Sequence, residues 1–207
     1  MIKNKFNYKF LLLVKIFFIY SLVCFKAFSD DSILKNNLIV LGEDEAPVKI
    51  KVFSSLTCPH CANFHIKVVS QIEKNYVRSG KVQIIFLDFP LDAAALNASK
   101  LLHCLNQEKQ LVFLETLYKK QSNWTSGSNL NEINDNLKKL VKNLGITSIE
   151  FEKCLNNENI ENAILNGRIE GQRKYSINST PTIIINENKI EGSFDFKSMK
   201  KKIDKLI

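Results

Sequence analysis

Cys58-Pro59-His60-Cys61 is the tetrapeptide whose residue types and spacing could carry chemistry of their own. Two thiols at this spacing can close a disulfide between themselves or pass it to another molecule, and the same spacing also serves zinc. The flanking sequence separates these uses. Val48 to Ser54 alternates and is rich in β-branched and aromatic types, which predicts a buried strand. Beyond the tetrapeptide, Cys61, Phe64, Val68, Ile72 and Tyr76 recur at three- and four-residue intervals, the apolar face of a helix that Ser79-Gly80 ends. Pro59 suits the first turn of that helix. Cys58 then falls at the cap, where unpaired N–H groups and the helix dipole favour a thiolate over a thiol. Cys61 lies one turn inward, buried and available to resolve a mixed disulfide. His60 can add hydrogen bonding or positive charge to a Cys58 thiolate, and a stabilised reduced form makes the disulfide a stronger oxidant.

A structural zinc site needs four ligands, and no second CxxC or CxxH cluster occurs. Covalent haem attachment needs a histidine directly after the second cysteine, where Ala62 stands. Thiol redox chemistry is the expectation, with no metal and no cofactor. A non-catalytic protein holding metal through Cys58 and Cys61 is the alternative from another class.

Val82 to Leu87 (VQIIFL) reads as a second buried strand. Strand, helix and strand then make a βαβ unit with a right-handed crossover. From Asp92 to Tyr175 no strand pattern occurs. Helical segments are predicted near 93–106, 108–120, 130–143, 148–156 and 158–175, with a polar loop over Asn123 to Asn129 from which Trp124 packs inward. Strand character returns after Pro181, from Thr182 to Asn186, followed by a turn at Glu187-Asn188 and a strand from Lys189 to Glu191. Phe196, Met199, Ile203 and Leu206 give a final amphipathic helix. The fold class is α/β, one mixed-sheet domain with an inserted all-helical subdomain over about 92–175.

The chain has 207 residues, 45% apolar and 24% charged, which suits a single globular domain and excludes a disordered or fibrous one. Its net charge of +8 invites a nucleic-acid reading. Five of those charges belong to Lys3, Lys5, Lys9, Lys15 and Lys26, in a stretch without acids, which leaves +3 for residues 30–207. Much of the rest sits in Lys197, Lys200, Lys201, Lys202 and Lys205, a solvated helix face. A nucleic-acid partner is not expected. Residues 1–29 read instead as a cleavable secretory signal. Lys3, Lys5 and Lys9 precede an apolar run from Phe10 to Phe25, and Ala27-Phe28-Ser29 places small residues before a cut at Asp30. An uncleaved membrane anchor is the rival reading, opposed by Lys15 within the run and by the small-residue exit. Cys24 falls in the discarded peptide, and export leaves four cysteines in an oxidising compartment.

The order strand, Cys58-Pro59-His60-Cys61, long helix, strand, helical insertion, Thr180-Pro181-Thr182, strand pair and helix resembles the DsbA-type branch of the thioredoxin superfamily. The resemblance runs from about Leu38 to Ile207. Val40-Leu41-Gly42 through Ala46-Pro47 is similar to the family's entry segment, Phe86-Leu87-Asp88-Phe89-Pro90-Leu91 to its second strand and exit, and Glu191-Gly192 to its last hairpin. The resemblance implies a thioredoxin-like fold in residues 30–207. It also implies a periplasmic thiol–disulfide oxidoreductase that introduces disulfides into exported proteins with reduced cysteines and is reoxidised by a membrane oxidase of DsbB type. Cys58 would form the mixed disulfide with substrate, Cys61 would close the internal one, and Pro59 and His60 would tune the pair. Pro181 matches the family's cis-proline, and with Thr180 it would bind the substrate backbone.

Two residues depart from that pattern. The most oxidising relatives tend to carry valine where Thr180 stands, and relatives with isomerase activity often carry threonine. A disulfide isomerase or reductase is therefore the alternative within the same chemistry. Val52 replaces the glutamate that many relatives bury beneath the active site. Only Asp30 to Asn37 separate the signal from the first strand, without the extension by which isomerases oligomerise, so a monomer is expected. Cys104 and Cys154 could be two buried thiols, but in an oxidising compartment a structural disulfide is favoured. It would close a long loop worth about 4 kcal/mol in the chain-entropy model. His65 reads as packing or surface, and nothing in sequence converges on His103.

Overall fold

The structure, a computed structural model, describes residues 38–207, so the signal reading of residues 1–29 lies outside the described residues. Five strands form one mixed sheet, β1 (Ile39–Leu41), β2 (Val48–Ser54), β3 (Val82–Asp88), β4 (Thr182–Ile185) and β5 (Asn188–Lys189), in the order β1-β3-β2-β4-β5. β2 and β3 run parallel, as a βαβ crossover requires, and the other neighbours are antiparallel. Val48, Ile50 and Val52 alternate with Lys49 and Lys51, so one face of β2 goes into the main core. Phe53 breaks the alternation because it packs on the opposite face with Phe89, Ile177 and Ile184. Among the described residues no helix is long and apolar enough to cross a membrane.

The crossover helix α1 starts at Pro59–Phe64, continues through His65–Val69 and Ser70–Ile72, and ends with Glu73–Val77. The segments His65–Val69 and Glu73–Val77 are π-helical, which a 3.6-residue reading does not foresee. Each closes on two successive buried residues, Val68-Val69 and Tyr76-Val77, so the apolar face is wider than the face read from Cys61, Phe64, Val68, Ile72 and Tyr76. Gly80, at φ 70°, follows the end of the helix.

Between β3 and β4 lie six helices and no strand: α2 (Ala93–Cys104), α3 (Gln107–Lys119), α4 (Gln121–Trp124), α5 (Leu130–Lys142), α6 (Ser148–Leu155) and α7 (Glu158–Tyr175). Asp92, Asn106, Asn129, Thr147 and Asn157 cap α2, α3, α5, α6 and α7 with side-chain oxygens, and Thr147 with Glu150 forms a capping box. These caps explain why the predicted boundaries fall within two residues of the observed ones. The polar stretch expected to be loop from Asn123 begins instead at the end of α4, where Trp124 is buried and donates its indole N–H to Leu117 O at 2.8 Å. Gly171 of α7 lies against Phe53, where an added Cβ would come within 2.6 Å of the ring. The helix can therefore sit directly on the sheet.

Two local readings need correction. The hairpin turns at Asn186-Glu187, one residue before the expected Glu187-Asn188, so the last strand is Asn188–Lys189 and not Lys189 to Glu191, and both turn residues have positive φ, 43° and 68°. Asn tolerates that conformation, and its side chain is anchored by accepting from Lys49 N at 2.8 Å and donating to Pro47 O at 3.2 Å. The last helix, α8 (Phe196–Ile203), buries Met199 and Ile203, but Leu206 lies beyond its end and is exposed.

Cys104 at the end of α2 and Cys154 in α6 are bonded, with Cα atoms 5.9 Å apart and 50 residues between them. Replacing both with alanine is expected to lower the unfolding free energy by about 4 kcal/mol, the loop-closure value for a bridge of that span. Urea melts of the oxidised protein and the double variant would check it, and equal midpoints would mean that the bridge does not form.

Candidate active site

Cys58 has extended backbone (φ −77°, ψ 119°) and caps α1, with Pro59 in the first turn. Its carbonyl accepts from the N–H groups of Cys61 and Ala62, while no side chain caps the helix. Cys58 thus stands at the end of the helix where unpaired N–H groups and the positive end of the dipole lie. The approach to it is held by several polar contacts. Thr57 Oγ1 donates to Asp92 Oδ2 at 2.7 Å, and Ser55 Oγ accepts from Leu91 N at 3.3 Å. Gln121 Nε2 donates to both Leu56 O (2.8 Å) and Cys58 O (3.0 Å). Sequence reasoning missed Gln121, because nothing in its local pattern marks a contact 63 residues away.

Thr180-Pro181 is a cis peptide leading into β4, and Cys58 Sγ donates to Thr180 O at 3.4 Å. Cys61 is almost fully buried, with 2% of its surface exposed. Burial pushes its thiol up to about 12, against the favourable influence of the Thr180 side chain. The Thr180 hydroxyl is buried and has no partner of hydrogen-bonding geometry; it faces the Cys61 sulfur. His60 is exposed at the rim of an open groove of about 650 Å3, which Phe64, Lys67, Thr180, Pro181 and Phe194 also line. The structure therefore brings Cys58, Cys61, Pro59, His60, Thr180 and Pro181 together, and it keeps Cys104 and Cys154 apart in the helical subdomain. Among the described residues no cluster of three or more His, Cys, Asp or Glu could hold a metal ion.

This arrangement can perform thiol–disulfide exchange. A sulfur at a helix N-terminus faces the Thr180-Pro181 backbone, and a second buried sulfur stands one turn away. The sequence from residue 35 to 205 matches the family model described as Thioredoxin. The chain belongs to the thioredoxin superfamily, in its DsbA-type branch. It is similar to a Bacillus anthracis protein named "Probable disulfide bond formation protein D", with 30% identity over 80% of this chain and 76% of the relative. "Disulfide bond formation protein D" of Bacillus subtilis is 25% identical over 80% of this chain and 75% of its own length. The crystal structure of Wolbachia pipientis alpha-DsbA1 superposes with a TM-score of 0.73 at 30% identity, covering 82% of this chain and 90% of that one. The chain is thus a thiol–disulfide oxidoreductase of this branch.

The structure also brings together ionisable groups that the sequence did not connect. His65 packs between the rings of Phe86 (5.3 Å) and Tyr118 (4.8 Å), and burial lowers it to about 4, which makes it a neutral packing residue. His103 is not isolated: its Nε2 lies 2.5 Å from Asp88 Oδ2, and Ser99 donates to the other oxygen of Asp88 at 2.5 Å. The pair joins the end of β3 to α2. Burial opposes charge on both partners, but their mutual attraction and hydrogen bonding outweigh it, raising His103 above its usual value and lowering Asp88 below its own.

The signs of these shifts set a pH window. The His103 contribution to stability is complete below its unfolded value, about 6.5, and is lost as pH rises through the raised folded value. The Asp88 contribution is complete above its unfolded value, about 3.9, and is lost as pH falls through the lowered folded value. His103→Gln should therefore cost most near pH 5, about 3–5 kcal/mol for breaking a buried pair, and less toward pH 9. Urea melts at a series of pH values test this, and a deficit that grows with pH would contradict it.

Proposed function

We propose that this protein is an exported thiol oxidase that introduces disulfides into other exported proteins. Cys58 is the attacking and attacked sulfur, Cys61 its buried partner, Pro59 and His60 tune the pair, and Thr180 with Pro181 receives the extended substrate chain. The observation that carries the reading is Cys58 at the N-terminus of α1 directly against Thr180 O. There the sulfur is set beside the backbone that would receive a substrate chain, with its disulfide partner Cys61 buried one turn behind it. The composition of residues 1–29 supports export to the periplasm by a cleaved signal. The names of the relatives, with disulfide bond formation in two of them, support the direction of the chemistry.

In the proposed cycle a substrate thiolate attacks Cys58 Sγ, the Cys58–Cys61 bond breaks, and the electron pair leaves on Cys61. A second substrate thiolate then attacks the substrate sulfur of the mixed disulfide. The substrate leaves oxidised and the enzyme dithiol remains. A membrane oxidase of DsbB type is the proposed acceptor for those two electrons, and the protein works as a monomer. Thr180 favours a second reading, in which the same pair reshuffles wrong disulfides as an isomerase, because its hydroxyl faces Cys61 where valine would offer none.

The deciding experiment measures the reduction potential of the Cys58–Cys61 pair together with refolding of reduced and of scrambled substrate. An oxidase is expected to lie well above thioredoxin, which is near about −270 mV, and to refold the reduced substrate. A potential near that of thioredoxin points to a reductase, and rescue of scrambled substrate alone points to the isomerase. Cys58→Ala should abolish exchange.

A further inference from the structure

A polypeptide joined to Cys58 has to lie against the surface around that sulfur. Cys58 Sγ is 3.4 Å from Thr180 O, and Thr180 with Pro181 lines the open groove of about 650 Å3, so the groove adjoins the reactive sulfur. One wall is a stripe of α1, with His60 at the near end, then Phe64, then Lys67 and Val68. The other wall is the Thr180-Pro181 segment together with Ser193 to Phe196, which lead into α8. The buried side chains of the lining are apolar. Phe64 and Val68 are in the core, and Phe194 meets Phe64 edge-on with ring centroids 6.3 Å apart. An apolar side chain placed there leaves water, which favours binding.

Besides His60, the lining carries one acid and one base, and they are not equivalent. Asp195 caps α8. Its Oδ1 accepts from Ser198 N at 2.9 Å, and its Oδ2 accepts from the hydroxyls of Ser193 (2.5 Å) and Ser198 (3.0 Å). That carboxylate is committed within the protein. Lys67 is exposed, and its ammonium enters no ion pair among the described residues. Gln71, one turn further on, turns its amide back to Lys67 O at 2.7 Å. The groove therefore offers an uncommitted cation and no uncommitted anion. An acidic side chain on an incoming chain meets its complement there, and a basic one meets a like charge. Helix geometry sets the place of the meeting. Lys67 is nine residues beyond Cys58, which is about 13 Å along a helix rising about 1.5 Å per residue. An extended chain covers that span in about four residues, at about 3.3 Å each.

We propose that Lys67 is a specificity-determining residue, which makes the groove select extended segments that carry an aspartate or glutamate about four residues from the reacting cysteine. An apolar side chain between the two goes to Phe64 and Phe194. The proposal rests on the exchange reading above, with Cys58 as the sulfur that substrate attacks, and it names the class of polypeptide that this site prefers. The chemistry itself is unchanged. The substrate thiolate attacks Cys58 Sγ, the Cys58–Cys61 bond breaks, and its electron pair leaves on Cys61. Lys67 touches neither sulfur. It acts on the encounter and on how the chain is held, so its effect falls on kcat/KM and weakens as salt screens the pair.

The test mixes oxidised protein with an excess of single-cysteine peptides, quenches in acid and weighs the products by mass spectrometry. One peptide thiolate opens the Cys58–Cys61 bond. A second attacks the peptide sulfur of the mixed disulfide, so a disulfide-linked peptide pair leaves and the protein dithiol remains. Each peptide carries one glutamate, moved in steps from about two to about six residues from the cysteine on either side, with glutamine and lysine versions for reference. The wild-type protein should react about 2–5-fold faster with glutamate than with glutamine near the fourth position, the range of one exposed ion pair, and less so at high salt. In Lys67→Gln that preference should vanish, and in Lys67→Glu it should pass to the lysine peptide. Each ratio is taken within one variant, so a loss of stability cancels, and comparison between variants cancels the reactivity of the peptide thiol. A preference that is the same in wild type and Lys67→Gln, or the same at every position, would overturn Lys67 as the selector. A Cys58→Ala protein with undiminished exchange would instead overturn the reading beneath it.

Discussion

The antiparallel pairing of β2 with β4 is the contact on which the chemistry depends. It aligns Phe53 with Thr182 and so delivers Thr180-Pro181 beside a cysteine 122 residues earlier in the chain. β2 is also paired on its other side with β3, along seven residues, so it cannot slide without exposing Val48, Ile50 and Val52. The position of the reactive sulfur against its facing backbone is therefore set by register, which is locked by burial. That contact closes the whole helical insertion into a loop, at an entropic cost that grows only slowly with loop length.

The helical insertion does more than fill the gap between β3 and β4. Gln121, at the start of α4, holds two carbonyls of the active-site approach, and Asp92, at the cap of α2, holds Thr57. Tyr118 of α3 packs on His65 of the helix that carries Cys61, with ring centroids 4.8 Å apart. The loop that presents Cys58 is thus braced from the helical side, while its open side remains free for a polypeptide. Lys100 of α2 forms an ion pair with Glu161 of α7, which ties the first and last long helices of the insertion to each other.

Most of the fold was legible because its signals are local. Alternation in β2, the apolar run of β3 and the Asp, Asn and Thr caps of the insertion each act within a few residues. The active-site tetrapeptide was legible for the same reason: proline in the first turn puts Cys58 at a helix terminus. What escaped the sequence is what depends on distance or on small departures from ideal geometry. The π-helical turns of α1 leave the heptad-like spacing almost intact while burying Val69 and Val77 as well. Gln121, Tyr118 and the Asp88–His103 contact join elements remote in sequence, and no periodicity points from one partner to the other. The hairpin was misplaced by one residue because Asn186 and Asn188 are both plausible turn formers, and only the backbone partners at Lys49 and Pro47 select the first.

The sheet ends in very short strands on both sides, three residues at β1 and two at β5. An exposed edge offers unpaired backbone groups to any extended chain that passes. A protein whose partners are polypeptides with accessible cysteines meets such chains constantly. Brief edges give them little to zip onto. The architecture thereby discourages capture, and templated aggregation, at either border of the sheet.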